Sequence, residues 1–253
     1  MRETYPLCTQ TNAINIFWGM IRMGNDSVSK SHRFSLVHKV WSYAVGLTIV
    51  LATDFVLRDV LLPERPGDIH IGMALLVEWL ILLLLLAFWI PRVEGHNLES
   101  IGFGNLKWRY LWSGILTYLM LLLAWIGSYF ALTAIGLEGL RSLQPMIMEH
   151  GFPIRFSLFL TGTLLEEIFY RGYLIERLTS LTGKSWLAGL VSWTAFTFVH
   201  LKFFGLGPTL DVGVLSAGLA ILYLKERSIW PCIVVHGIND AFGFLIAPLL
   251  RSL

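Results

Sequence analysis

Residues 161–177 read TGTLLEEIFYRGYLIER. Apolar residues flank two adjacent carboxylates, Glu166 and Glu167, and one guanidinium, Arg171, as in a membrane helix with charge through its middle. A charged side chain at bilayer depth costs at least about 2.5–3.5 kcal/mol, so three within two turns require partners. Glu167 and Arg171 are spaced i,i+4 with the acid first, the favourable orientation for a helical ion pair. On an α-helix Glu166 is rotated by about 100° from Glu167 and points elsewhere. It lacks that cation, which suits it to general acid–base work. A purely structural Glu–Glu–Arg triad is the competing reading.

The rest of the chain is built to bury such a helix. Of 253 residues, 55% are hydrophobic and only 14% charged, with a mean hydropathy of +0.66. A soluble domain carries roughly 25% charged residues, so this composition is that of a polytopic membrane protein. Two cysteines, Cys8 and Cys232, are too few and too far apart for a disulfide framework or a thiolate zinc site. The first apolar patch, 14–23, is short and lies between polar stretches, so the first true span is expected to act as the targeting signal. Ile14, Phe17, Trp18 and Ile21 share a helical face and suit either a short interfacial helix or a loose tail.

A helix that crosses a bilayer needs about 17–25 mostly apolar residues. Seven stretches qualify, near 40–61, 71–91, 110–134, 156–178, 186–204, 209–225 and 229–250. The expected fold is therefore an all-α transmembrane bundle of about seven spans, with six to eight allowed. The expected organisation is a cytosolic tail over 1–38, N-terminal membrane helices over 39–155, and a four-helix core over 156–253. Asp54 and Arg58 in the first span are spaced to pair with each other. Glu78, in the second, either reaches the interface or pairs with another helix. Lysines and arginines gather on one set of loops (Arg22, Lys39, Arg92, Lys107, Arg177, Lys184, Lys225 and Arg227 among them), which places the N-terminus in the cytoplasm. The expected location is a bacterial cytoplasmic membrane, with lipid as an obligatory partner and no nucleic acid.

Two later helices carry polar residues at matching depth. Phe196 and His200 are i,i+4 in FTFVH, which stacks the phenyl ring beside the imidazole. His236 and Asp240 are i,i+4 in HGIND, so the carboxylate either fixes the imidazole tautomer or shares a cavity with it. At about 1.5 Å per residue, Glu166, His200, His236 and Asp240 all fall about 10–20 Å below the cytoplasmic surface. Such a set either activates a water for attack on a carbonyl, with the remaining polar groups stabilising the oxyanion, or ligates zinc as a His₂Glu site. There is no HExxH spacing and no GxSxG elbow.

Glu166-Glu167-Ile-Phe-Tyr-Arg171, Phe196-Thr-Phe-Val-His200 and His236-Gly-Ile-Asn-Asp240 match EExxxR, FxxxH and HxxxN/D in order and spacing. Together they resemble the CPBP family: type II CAAX prenyl endopeptidases and bacteriocin-processing or immunity proteins, also called the Abi family. The resemblance covers about 157–248. It implies an intramembrane endopeptidase of the glutamic type, acting on a peptide or membrane-protein substrate without a cofactor. Glu166 and His200 would activate the attacking water. His236 and Asp240 would bind the oxyanion, and Glu167, Arg171 and Phe196 would support them. A zinc-dependent protease and a non-catalytic immunity or scaffold protein are the alternatives. The family more usually has Asn where this chain has Asp240. An ionised Asp cannot donate to an oxyanion, so Asp240 must be protonated or must orient a protonated His236.

Overall fold

The computed structural model describes residues 27–57 and 66–251. Among them every regular element is helical, and seven long helices account for most of the chain. Helix α1 is Ser27–Asp54. Helix α2 is Asp68–Leu84 and continues as a π-helical stretch, Leu85–Val93. Helix α3 is Trp108–Ala134. Helix α4 runs unbroken through three segments: Phe152–Leu160, a π-helical Thr161–Leu174 and Ile175–Thr182. Helix α5 is Ser185–Val199, extended past His200 by the turn Leu201–Phe204. Helix α6 is Leu206–Glu226, and α7 runs from Trp230–Asp240 through Ala241–Ile246.

Six of these are long and apolar enough to cross a membrane: Ser35–Leu57, Asp68–Val93, Trp108–Ala134, Ser185–Phe204, Leu206–Glu226 and Trp230–Leu250. They bear out the expected all-α polytopic bundle. The remaining helix is α4, whose charges set it apart from the rest. It is also the axis of the fold. Within Thr161–Leu174 every residue but Leu164 is buried. The outer helices supply the lipid-facing side. On α3, Leu116, Met120, Leu123 and Phe130 are exposed, and on α2 so are Met73, Leu76, Leu80 and Leu83. Apolar surface of this extent needs a hydrocarbon solvent, and helices satisfy their backbone groups internally within it.

Helix α1 begins at Ser27, upstream of the span expected from residue 40. The 14–21 patch and Arg58, the expected partner of Asp54, lie outside the described residues. Glu78 is buried among the helices, 2% exposed. Beside it, Trp79 Nε1 donates to Thr161 Oγ1 of α4 at 2.9 Å. Arg177 is not a loop cation either. Its side chain is 2% exposed and bonds Glu94 Oε2 at 2.7 Å, and the same guanidinium donates to the Ser100 carbonyl and hydroxyl. Tyr173 donates to the other Glu94 oxygen. This knot ties the loop after α2 to the far half of α4. Gly205, at φ +74°, makes the turn between α5 and α6 that its Gly-Leu-Gly-Pro run announces.

Candidate active site

The polar residues singled out in the sequence meet where α4, α5 and α7 pack. Glu166, Glu167, Arg171, His200, His236 and Asp240 are all at most 7% exposed. Glu167 Oε1 is the hub. It takes a hydrogen bond from Arg171 Nη1 at 3.0 Å, the expected i,i+4 pair. It also lies 2.7 Å from His236 Nδ1, which fixes the proton on that nitrogen because a carboxylate only accepts. Glu166 Oε2 approaches the other edge of the same ring, 4.0 Å from Nε2, and Asp240 Oδ2 lies 3.5 Å from Nε2. Three carboxylates from two helices therefore converge on one imidazole.

The two glutamates diverge, but only as far as opposite edges of one imidazole. Residues 161–174 are π-helical. A π-helix closes i→i+5 bonds, turns less per residue than an α-helix and is frequent at functional sites. Of the two readings of the His236/Asp240 pair, the tautomer is fixed from another helix: Glu167 holds Nδ1, and Asp240 faces Nε2.

Phe196 joins the second histidine to this cluster. Its ring centroid lies 4.8 Å from that of His200 and 6.0 Å from that of His236. The Arg171 guanidinium sits over the same ring at 4.2 Å, a buried cation–π contact. His200 Nδ1 donates to the Phe196 carbonyl at 2.7 Å, so a neutral ring carries its lone pair on Nε2. From α6, Ser216 Oγ accepts from Arg171 Nη2 at 3.0 Å.

Two residues of this arrangement were not read from the sequence, and a third, Asn239, one residue before Asp240 and about 100° off its face, was set aside. Ser216 lies in an apolar run with nothing local to mark it. Asn239 donates through Nδ2 to Asp240 Oδ1 at 3.0 Å. Gly162 packs its bare Cα against the site: a Cβ there would overlap Asp240 Oδ2 and lie 3.8 Å from His236 Nε2. Gly162→Ala favours the helix by propensity but pushes Asp240 away from the imidazole. The expected result is a melting temperature unaltered within a few degrees and an Asp240 carboxylate displaced from the imidazole. Melting curves and a structure of the purified variant check it.

Among the described residues, no group of three or more His, Cys, Asp and Glu side chains is arranged to hold a metal ion. The fold and the cluster define a multi-pass helical membrane protein with an acid–imidazole site buried at its centre. Residues 148–242 match the family model of Rce1-like type II CAAX prenyl endopeptidases. That segment is less than half of the chain but holds every residue of the cluster, and the match bears out the CPBP resemblance. It makes the segment similar to a membrane protease of the CAAX type. No curated protein and no solved structure matches the chain.

Proposed function

We propose that the chain is an intramembrane endopeptidase that hydrolyses a peptide bond with a water activated by Glu166 and His200. The observation that supports this best is the convergence of Glu166, Glu167 and Asp240 on His236, with Phe196 carrying His200 against the same cluster. Glu166 takes a proton from the water, which His200 Nε2 holds in place, and the O–H oxygen attacks the carbonyl carbon. His236 has Nδ1–H committed to Glu167, so a second proton makes Nε2 a donor to the oxyanion, with Asp240 alongside. On collapse the C–N bond breaks, and the amine takes the proton held by Glu166. Glu167, Arg171 and Ser216 keep the imidazole in place and touch no reacting atom. The chain works in a cytoplasmic membrane with its N-terminus in the cytoplasm, on a peptide or membrane-protein substrate, without a metal.

The test uses the full chain in nanodiscs with an internally quenched, farnesylated CAAX peptide as probe. The expected result is cleavage whose rate is unchanged by 1,10-phenanthroline or EDTA. Loss of cleavage with chelator, restored by Zn²⁺, would establish the zinc-dependent alternative.

A further inference from the structure

A cleft of about 510 Å³ lies between α1 and α5, and none of the acid–imidazole cluster lines it. Leu51 and Phe55 form one wall, Ala195, Phe198 and Leu201 the other, and Tyr170 of α4 the floor. Tyr170 is 1% exposed, whereas the phenyl rings of Phe55 and Phe198 are both exposed and open the cleft sideways to lipid. The volume suits a small-molecule site. Among the described residues that line it, Lys202 is the one charged side chain, and it is exposed.

The depth of these residues says what fills the cleft. Phe55 stands two residues before the end of the apolar span Ser35–Leu57, and Lys202 two before the end of Ser185–Phe204. Both spans end on this side, so Lys202 lies where hydrocarbon gives way to headgroups, the level to which a lysine near a helix end extends. From Lys202 down to Ala195 the cleft descends about 10 Å at the rise of an α-helix, well inside one leaflet of a core about 30 Å thick. Water has too few polar partners on such walls, whereas an acyl chain needs none. The lysine adds a demand for negative charge. An ammonium has three N–H donors, so it can hold a phosphate oxygen while still serving protein groups, among them the Phe203 ring 5.3 Å away. None of the described side chains lining the cleft is a carboxylate that would receive the ammonium of a zwitterionic headgroup.

We propose that this cleft seats one anionic phospholipid, with an acyl chain between α1 and α5 and its phosphate on Lys202. The assignment goes beyond the peptidase reading and does not rest on it. The seat is nonetheless close to the cluster. Val199 and Leu201, the residues on either side of His200, line it. The ring of Tyr170 meets Phe196 edge-on at 5.1 Å, and Phe196 is the ring packed against His200. A chain in the cleft therefore braces α5 at the turn that carries His200.

Native mass spectrometry of the full chain, released from nanodiscs of phosphatidylcholine with a minor share of phosphatidylglycerol, tests this. The wild type is expected to carry one phosphatidylglycerol. Lys202→Gln should lower its retention about fivefold, which is what one lysine contributes to binding an anionic lipid, and Lys202→Arg should keep it. Ala195→Trp, which leaves the charge and fills the cleft, should also lose it. Melting curves in the same nanodiscs show whether each variant is folded. They should also show the wild type, but not Lys202→Gln, melting higher with phosphatidylglycerol than in phosphatidylcholine alone, as a ligand held by the native state requires. Equal retention by wild type and Lys202→Gln, or by wild type and a folded Ala195→Trp, would place the lipid elsewhere and overturn the proposal. Phosphatidylcholine held as firmly as phosphatidylglycerol would overturn it too. Displacement of the lipid by the quenched farnesylated peptide would give the cleft to substrate instead, against the proposal and in favour of the peptidase reading.

Discussion

Glu166→Ala and Glu166→Gln should each lower peptide cleavage by at least about a thousandfold while the protein stays folded. Loss of a general base costs about 10²–10⁴ in rate, and here the same group also positions the nucleophile. His200→Ala should lose a similar factor. The two losses should not multiply in the double variant, since both residues act on one water. Stability should hardly change. Glu166 lies 4.0 Å from His236 Nε2, whereas Glu167 is the acid that Arg171 clasps. Taking Glu166 away removes one of three crowded acids and leaves the Glu167–Arg171 pair in place. Initial rates of the single and double variants, beside their melting curves in detergent, check both halves. Full activity in either single variant would refute the assignment of the base.

The neighbouring acid should behave in the opposite sense. Glu167→Ala strips the carboxylate from a pair whose side chains are both 0% exposed and leaves Arg171 charged against the Phe196 ring. Breaking a buried pair from one side costs about 3–5 kcal/mol. For a chain of this size that lowers the melting temperature by on the order of 10 °C. The same substitution frees His236 Nδ1, so whatever folds should also be inactive. Replacing both members, Glu167→Leu with Arg171→Met, should recover much of the lost stability, because no lone charge remains, and none of the activity. Thermal unfolding of the single and double variants separates these terms. A Glu167→Ala protein as stable as wild type would show that the pair contributes nothing to the bundle.

The architecture was readable because hydropathy is summed over some twenty residues and tolerates local error. Asp68–Val93, Trp108–Ala134 and Trp230–Leu250 fall close to the expected spans for that reason. Helix α4 was readable by its chemistry, since Glu166, Glu167 and Arg171 in one apolar run can only be accommodated by a central helix. The details that failed depend on register and on distant pairing. No sequence pattern announces a π-helical stretch such as Thr161–Leu174, nor that the two diverging glutamates meet opposite edges of one ring. Arg177 looked like a loop cation because its partner, Glu94, is 83 residues away in sequence. Helical spacing did identify the contact between Phe196 and His200. It did not foresee that Glu167, from another helix, holds His236 Nδ1.

The catalytic claim meets its most direct test in the native membrane. Cells carrying Glu166→Gln in place of the wild-type chain should accumulate one or a few uncleaved membrane precursors, and the matching fragments should be missing from their membrane peptidome. The precursors should co-purify with the Gln variant, which keeps the site's shape without its base. Identical peptidomes from the two strains, with no precursor captured, would contradict a role for Glu166 in hydrolysis.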